Sequence, residues 1–528
     1  MFLRKPCPIL MSVFLICLAA VAANAQSFRV QCPTTTITHP SVANSEPVYT
    51  GATTFAVGSN GYAVPTSHIN GAIKCQQISG GDGFATMGDG TQTYLFAFGP
   101  LSGLADIASG QPGTQFPNVF NQLYAGPNPL QPGDPATTVN GGGLFSFNGA
   151  VGLIPNLDAN NGAGTAGAPV DGHVDPRPIM DIGVLNGNFP APLMALDEDD
   201  EFFLTLTNVG QIMRPDLFEQ HTVHFHGYPN ASAFYDGVPD ASVAINIGGS
   251  FTYYYLAPDA GTYFWHCHIT PPEHLQMGMT GQIYVRPRQN RVPVNGSLYS
   301  ALQQQQNDVR TKCDSLSDIL CSNPLPAANS VTRAASGNYA YNDGDGSTYY
   351  DVEYPLQIHG FDPNFHFVGM TFNPENMTDM KDKYFLLNGR SYPDTVKSGP
   401  LQTMSADGAM HFSQPLPSII NIPTGGKALL RISDLDVTEY QTLASLGIPM
   451  KVIALNARIL RDQSGNNLYY NTNSITLAGG ESIDVILDAS DTTKYPQGST
   501  FYLYTPNLDH LSNDAENFGG LMTEVRIN

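Results

Sequence analysis

Two short segments of the chain concentrate side chains that bind transition metals. One is Trp265-His266-Cys267-His268, and the other is His221-Thr-Val-His224-Phe-His226. A cysteine thiolate and imidazole nitrogens are donors that hold copper, and two histidines with one cysteine and a distant methionine define a blue-copper centre. The four ligands expected for such a centre are His221, Cys267, His274 and Met279.

The remaining histidines of these segments form two pairs, His224 with His226 and His266 with His268. Residues two apart on a strand project from the same face, so each pair presents its imidazoles together. Because the second pair brackets Cys267, a metal held there would lie one residue from the blue-copper centre, a short covalent path for an electron. Zinc is a rival metal for such a set, but the methionine and an unpaired cysteine favour copper.

The cysteine count supports a special role for Cys267. The first 25 residues combine Arg4 and Lys5, an apolar run and Ala23-Asn24-Ala25, which is the layout of a cleavable secretory signal. We therefore predict export to the periplasm or the cell exterior, where disulfides form. Five cysteines follow the signal, and the expected pairings leave one over. The pairs that can form are Cys32 with Cys75 and Cys313 with Cys321.

Composition limits the partners of the chain. A formal net charge of −22 would repel nucleic acid and anionic membrane surfaces, and it would attract a small cation or a positively charged partner. After the signal there is no uninterrupted apolar run of roughly 20 residues, so no transmembrane helix is expected.

An internal repeat identifies the scaffold that positions these residues. Three short motifs occur twice in the same order, and residues such as Glu, Thr, Gly and Pro are the same in both copies. The paired motifs are Leu185–Gly187 with Leu387–Gly389, Glu219–Pro229 with Glu439–Pro449, and Thr262–His268 with Thr500–Pro506. The metal-type residues do not persist. Their counterparts in the second copy are Gln441, Ala444, Leu446, Tyr504, Thr505 and Pro506.

Each copy has the pattern of short strands separated by turns. Phe202, Leu204 and Leu206 alternate along Glu201–Asn208, and Ser250–Leu256 is rich in β-prone aromatic residues. The sequence predicts an all-β fold of two β-sandwiches. The predicted divisions are a signal at 1–25, an N-terminal extension and loop-rich insertion at 26–180 that joins the first sandwich, the metal-binding domain at 181–288, a partly helical linker at 289–347, and a second domain without metal ligands at 348–528.

At this point the chain resembles the superfamily of multicopper oxidases and copper nitrite reductases, which link Greek-key cupredoxin domains. The matching motifs are His221-x-x-His224-x-His226-Gly, Asp236-Gly-Val-Pro239, and Ala260–His268 continued through Met277-Gly-Met279. The likeness is strong over about Leu185–Arg286 and looser over Tyr384–Asn528. It implies a type 1 copper at His221, Cys267, His274 and Met279, and type 2 and type 3 copper facing His224, His226, His266 and His268. It also suggests a proton-relaying carboxylate at Asp236, although an ordinary Asp-Gly turn explains that residue as well.

Two features depart from the family pattern. The oxygen-reducing cluster of multicopper oxidases draws twice as many histidines as the four found here, from two domains. The other mature histidines contain no His-x-His pair; they are His39, His68, His173, His359, His366, His411 and His510. In addition, Pro271-Pro272-Glu273 places His274 seven residues after Cys267, two more than usual. Met277 is an alternative to Met279 as the axial ligand, although spacing favours Met279.

Three functions fit these observations. The first is an exported oxidase that takes electrons from a small molecule, a metal ion or a redox protein at the type 1 copper and reduces dioxygen at the histidine cluster. The second is an electron carrier or copper-handling protein without a complete cluster. The third is a nitrite-reductase-like enzyme with one type 2 copper at an interface between identical chains, which would need a histidine from a neighbour.

Overall fold

The architecture is given by a computed structural model of the chain. It describes residues 29–41, 45–123, 148–154, 170–227, 232–257, 259–306, 323–373 and 376–528. The predicted signal at 1–25 and the predicted pair Cys313/Cys321 lie outside these residues. Within the described ranges, no helix has the length and apolar character needed to span a bilayer.

The predicted all-β fold is confirmed. The first domain is a sandwich of two four-stranded sheets, with strand orders β4-β3-β6-β8 and β5-β10-β9-β7. Its strands are β3 (Ile73–Thr86), β4 (Gln92–Pro100), β5 (Met194–Asp197), β6 (Glu201–Gly210), β7 (His224–Phe225), β8 (Ser250–Leu256), β9 (Gly261–His266) and β10 (Thr280–Arg286). A separate hairpin, β1 (Thr54–Val57) and β2 (Ala63–Ser67), precedes them.

The first core follows from the alternation seen in the sequence. Phe202, Leu204 and Leu206 are fully buried along β6, and they pack with Trp265, Cys267 and other side chains of both sheets. Burial of such side chains is the main source of stability of a sandwich. The strand expected over Ser250–Leu256 is β8.

The first sandwich starts earlier than the predicted boundary at residue 181. Two of its strands, β3 and β4, lie inside the segment 26–180 that the sequence assigned to an extension and insertion. The Gly-Gly-Asp-Gly run at 80–83 interrupts the alternation of β3, which is buried on both faces, so period-two patterning could not identify it. The predicted disulfide between Cys32 and Cys75 is present and fixes the N-terminal segment to β3.

The described part of residues 101–180 is not only loop. It contains three short helices and packs a small core against β3 that includes Leu104, Phe120 and Ile179. The helices are α1 (Leu104–Ile107), α2 (Pro117–Phe120) and α3 (Pro176–Gly183).

The segment between the two sandwiches is partly helical where it is described. It holds α5 (Leu298–Gln305), which follows α4 (Pro271–Gln276) of the first domain, and the paired strands β11 (Asn338–Tyr339) and β12 (Tyr349–Tyr350). Single turns of 3-10 helix occur at Ala233–Tyr235, Arg288–Arg291, Met377–Asp379, Asp394–Val396 and Leu508–His510.

The second domain repeats the topology of the first. Its sheets have the orders β14-β13-β18-β24-β20-β21, with β22 beside β20, and β17-β26-β25-β19-β23. The elements are β13 (Val352–Phe361), α6 (Pro363–Gly369), β14 (Tyr384–Leu387), β15 (Leu401–Met404), β16 (Met410–Gln414), β17 (Ile420–Ile422), β18 (Lys427–Asp434), β19 (Gln441–Leu446), β20 (Met450–Leu455), β21 (Arg458–Ile459), β22 (Tyr470–Thr472), β23 (Ser474–Leu477), β24 (Glu481–Asp488), β25 (Thr500–Tyr504) and β26 (Met522–Ile527).

Strand register supports the duplication residue by residue. His224 lies opposite His266 across β7 and β9, and Ala444 lies opposite Tyr504 across β19 and β25. These are the equivalences obtained from the sequence repeat. The parallel pairs also match, since β3 runs parallel to β6 and β5 to β10 in one domain, as β13 does to β18 and β17 to β26 in the other.

Buried polar contacts join the two domains. Glu353 on β13 binds Arg286 of the first domain at 2.5 Å and Arg431 of the second at 3.0 Å. Thr262 donates to Asp484 at 2.5 Å across the same interface. Burial alone would raise the pKa of Glu353, but the two guanidinium groups lower it to about 2.

Candidate metal centre

Three of the four predicted blue-copper ligands converge in the first domain. His274 Nδ1 is 3.2 Å from Cys267 Sγ, and His221 Nδ1 is 4.0 Å from the same sulfur. All three side chains are buried, and one donor atom from each lies within 4.8 Å of the others. Both imidazoles turn Nδ1 toward the sulfur, which is the arrangement a small metal ion requires.

Backbone hydrogen bonds fix the loop that carries two of these residues. Cys267 follows β9, and its N–H donates to the carbonyl of Met279 at 3.1 Å. The N–H of Met279 donates in turn to the carbonyl of His274 at 2.8 Å. The longer segment predicted from Pro271 and Pro272 forms α4, which starts with these prolines at its first turn. The loop therefore closes in spite of its extra length.

His221 is positioned by a separate element. Its N–H and carbonyl form two hydrogen bonds with Ile245, at 3.1 and 3.0 Å. Gly80 lies directly against its ring, because a side chain there would begin 2.9 Å from the imidazole. An isolated β-bridge thus holds His221, while the segment after β9 holds the other two donors.

The charge state of the group favours a cation. Burial alone would raise the pKa of the Cys267 thiol, but His274 and His221 lower it well below its ordinary value. Burial alone would lower the pKa of His274, but the Cys267 thiolate raises it to about 10. The thiolate therefore holds a proton on its neighbour, and a metal ion that binds here displaces that proton.

Both methionines of the loop are buried in the first core. Met279 is hydrogen-bonded through its backbone to both Cys267 and His274, whereas the Met277 carbonyl accepts from Phe96 of β4 at 3.1 Å. The backbone thus ties Met279 to the two ligand positions, and Met277 to a neighbouring strand.

The four predicted cluster histidines also come together. Ring centroids are 4.9 Å apart for His224 and His226, 5.4 Å for His224 and His266, and 5.0 Å for His224 and His268. The Nε2 atoms of His226 and His266 are 2.8 Å apart. At this distance one ring can donate a hydrogen bond to the other, and the two nitrogens are close enough to bind the same metal ion.

Backbone carbonyls orient two of these rings. His224 Nδ1 lies 2.6 Å from the carbonyl of Asp236, and His266 Nδ1 lies 2.7 Å from the carbonyl of Cys267. With Nδ1 held in this way, Nε2 is the nitrogen available to a metal. The Asp236 carboxylate is 3.6 Å from the same His224 nitrogen. The turn needs Gly237, whose φ is 78° and where a side chain would begin 2.0 Å from the Val223 carbonyl.

Burial keeps these imidazoles neutral. It lowers the pKa of His226 to about 4 and that of His266 to about 3, with like-charged neighbouring histidines contributing. Only the neutral ring has a lone pair for a metal, so both residues are ready to bind well below neutral pH.

A cavity of about 500 Å³ opens on His226 and His266. The second domain forms its far wall. That wall carries Asp436, Val437, Thr438, Glu439, Tyr440 and the segment Ala478–Gly480. The second domain thus covers the histidine group with carboxylates and a tyrosine rather than with imidazoles.

The other histidines serve elsewhere. In the described part of the chain, none of the seven belongs to a group of three potential metal ligands. His39 binds Glu201 at 2.6 Å, and His173 and His411 bind nearby aspartates. His359 is fully buried at the domain interface, and its ring contacts Phe189.

His510 lies at the position equivalent to His274. Its Nδ1 is 3.0 Å from Gln441 Oε1, and its Nε2 is 3.1 Å from Glu439 Oε2. The Leu521 N–H donates to the His510 carbonyl at 3.0 Å, and the Thr505 N–H donates to the Leu521 carbonyl at 2.9 Å. These two bonds reproduce the ligand loop of the first domain.

Sequence reasoning did not single out Glu219. Its Oε2 is 3.7 Å from His274 Nε2, so it contacts the edge of a predicted ligand. The repeat contained a signal for it, because Glu439 is its counterpart and contacts His510 in the same way.

Comparison with known sequences matches this region of the chain. The family described as multicopper oxidase matches residues 172–290. Laccase abr2 of Aspergillus fumigatus is 34% identical over 128 residues, which is 24% of this chain and 20% of that protein. Multicopper oxidase MmcO of Mycobacterium tuberculosis is 32% identical over 130 residues, 23% of this chain and 24% of that protein. The chain therefore spans about a fifth of the length of the curated relatives it matches.

Solved structures resemble a larger part of the chain at lower identity. A blue copper oxidase from Nitrosomonas europaea is 17% identical, with a TM-score of 0.47, and the match covers 86% of this chain and 85% of that chain. A copper nitrite reductase from the same organism is 14% identical, with a TM-score of 0.39, over 65% of this chain and 85% of that chain.

Proposed function

We propose that this chain, whose residues 172–290 match the multicopper oxidase family, is an exported copper-dependent oxidoreductase. In this proposal a type 1 copper is held by His221, Cys267, His274 and Met279, and further copper by His224, His226, His266 and His268. The observation that carries it is the adjacency of two preformed donor sets, one with a thiolate and one of imidazoles only. Bound copper would supply one-electron redox chemistry, with a reductant as donor and dioxygen as acceptor.

The donor sets fit copper. A buried thiolate with two imidazoles suits copper better than calcium or magnesium, which prefer oxygen donors. Zinc also binds such ligands, but a buried methionine hydrogen-bonded through its backbone to the ligand loop is typical of blue-copper sites.

The polypeptide connects the two sites directly. Cys267 is bonded through the backbone to His266 on one side and to His268 on the other, so each set is one peptide unit from the other. The His266 ring also forms a hydrogen bond with the Cys267 carbonyl at 2.7 Å, which is a second contact between these two residues. These residues are the shortest route between the sites.

Burial and orientation prepare both sets before a metal arrives. The ligand loop is fixed by the Cys267 and Met279 backbone bonds, and the cluster rings are held by carbonyls. Preorganised ligands reduce the rearrangement that accompanies a change of oxidation state. The Asp236 carboxylate lies 3.6 Å from His224 Nδ1, and the Glu219 carboxylate lies 3.7 Å from His274 Nε2, so each donor set has an acidic group at its edge.

One observation favours a second candidate, a blue-copper electron-transfer or copper-binding protein without a full cluster. The wall of the second domain that faces His226 and His266 carries Asp436 and Glu439 instead of histidines. The nitrite-reductase-like alternative is less well supported, because the same carboxylates would repel an anion.

Oxygen uptake with a reductant separates the two leading candidates. We expect copper-loaded protein to consume dioxygen, and His224→Ala combined with His226→Ala to abolish uptake while reductant still bleaches the blue absorption. The matched control replaces His39 and His411, which lie in neither donor set, with Gln. Bleaching without uptake in the unmodified protein would favour the electron carrier.

A further inference from the structure

The interdomain cavity has a composition suited to a specific class of ligand. Its volume of about 500 Å³ is in the range of small-molecule sites. From the first domain, Pro271, Pro272 and Leu275 line the cavity with apolar surface, beside the imidazoles of His226 and His266. Leu435 and Val437 add apolar surface from the second domain.

The polar side chains that the second domain adds to the cavity are two carboxylates, a threonine hydroxyl and a tyrosine. Glu439 and Tyr440 line it, with 42% and 72% of their surfaces exposed, and Asp436 lies beside them. Among the described residues that line the cavity there is no lysine or arginine. The cavity therefore attracts cations and repels anions.

The acidic groups are held in place. Asp436 accepts hydrogen bonds from the Thr438 N–H at 2.8 Å and from Gln441 Nε2 at 2.6 Å. Glu439 is fixed through its Oε2 to His510 at 3.1 Å. A ligand that binds beside them does not have to order these carboxylates, and this lowers the cost of binding.

Pro271 and Pro272 lie in the lengthened segment between Cys267 and His274, and both line the cavity, as Glu439 does. Rigid apolar surface in the same cavity as a fixed negative charge favours an organic cation over a hydrated metal ion, which would have to shed water against the proline rings.

We propose that this cavity binds a small organic ammonium ion. Its apolar part would pack on Pro271, Pro272 and Leu275, and its ammonium group would lie between the Glu439 carboxylate and the Tyr440 ring, which can contribute a cation–π contact. Binding of the ammonium ion requires no metal. The inference rests on the proposed function only for the role that such a ligand would have beside copper.

Titration calorimetry with three isosteric probes tests it. We expect cyclohexylmethylamine to bind the full-length protein, both copper-loaded and chelator-treated, more tightly than cyclohexylmethanol, and cyclohexanecarboxylate to bind least. Glu439→Gln and Tyr440→Ala should each weaken amine binding by about tenfold. Glu516→Gln and Tyr62→Ala alter exposed residues outside the cavity and should leave the affinity unchanged.

Equal affinity for the three probes would overturn the proposal. So would amine binding that requires copper and persists in the Glu439 and Tyr440 variants, since the amine would then be a ligand of the metal alone. Amine selectivity in a protein that binds no copper would leave this inference standing and remove the proposed function.

Discussion

The two domains contain the same ligand loop with different side chains. In the first domain the Cys267 N–H donates to the Met279 carbonyl, and the Met279 N–H donates to the His274 carbonyl. In the second domain Thr505 donates to Leu521 and Leu521 to His510 in the same way, at nearly equal distances. The equivalent positions are His221 and Gln441, Cys267 and Thr505, His274 and His510, and Met279 and Leu521. The loop conformation therefore belongs to the fold and does not depend on a metal.

The side chains of the second domain satisfy one another without a metal. His510 is hydrogen-bonded through both ring nitrogens, to Gln441 and Glu439, and it stacks on Phe385 with ring centroids 3.8 Å apart. In the first domain, by contrast, the Nδ1 atoms of His221 and His274 face the Cys267 sulfur, at 4.0 and 3.2 Å. The donors of the first domain therefore converge on one point, whereas those of the second domain pair with one another.

The largest expected effect comes from removing the thiolate. Cys267→Ser should abolish the blue absorption and the copper bound with it, because a hydroxyl is a much harder and less basic donor than a thiolate. Thr505→Ser, the matched change in the second domain, should alter neither. Optical titration with copper measures both variants. An intact blue band in Cys267→Ser would mean that the ligand assignment is wrong.

Transplanting ligands should create a site in the second domain. Gln441→His, Thr505→Cys and Leu521→Met together, in a Cys267→Ser background, should restore a blue band, because the backbone that positions these residues is already present. Copper content per chain and the visible spectrum test this. If the triple variant folds, as judged by circular dichroism, and binds no copper, the equivalence of the two loops is wrong.

The Glu353 ion pairs at the domain interface should stabilise the fold without affecting the copper sites. Glu353→Gln leaves Arg286 and Arg431 without their shared carboxylate and should lower the free energy of unfolding by about 3–5 kcal/mol. The folded pKa of Glu353, about 2, lies below its ordinary value of 4.5. Its contribution is therefore complete above pH 4.5 and is lost as the pH falls toward 2.

Urea unfolding as a function of pH measures this contribution. The difference between the unmodified protein and Glu353→Gln should shrink steadily below pH 4.5, while the blue spectrum at neutral pH stays the same. Asp351→Asn, on an exposed neighbouring residue, is the control. A pH-independent difference would show that the ionised carboxylate is not the source of the stability.

The smallest expected effect concerns the axial position. Met279→Leu installs the residue that the second domain has at this register. We expect the blue band to remain and the reduction potential to rise, because loss of a weak donor destabilises the oxidised copper more than the reduced copper. Redox titration measures the change, with Met277→Leu as the matched control. A larger shift from Met277→Leu would make Met277 the axial ligand.

Much of this arrangement was readable from the sequence because strand periodicity and ligand spacing are local. The alternation of Phe202, Leu204 and Leu206 predicted β6, and the two His-x-His pairs predicted histidines on one face. The repeat even predicted that Ala444 and Tyr504 would replace His224 and His266.

What the sequence could not predict depends on distant contacts. β3 lacks alternation because both of its faces are buried, so it was assigned to an extension. The acidic cavity wall at Asp436 and Glu439 depends on how the second domain packs on the first, and no local pattern encodes that. Glu219 is recognisable only once His274 is placed beside it.

Copper stoichiometry combined with optical and electron paramagnetic resonance spectroscopy is the most direct test of the central claim, which is that the first domain holds both a type 1 copper and further copper at its histidine group. We expect one copper with an intense blue absorption and additional copper that is lost when His224 and His226 are replaced with Ala. A single copper per chain showing only the blue signal, or copper that survives loss of both first-domain sites, would contradict the claim.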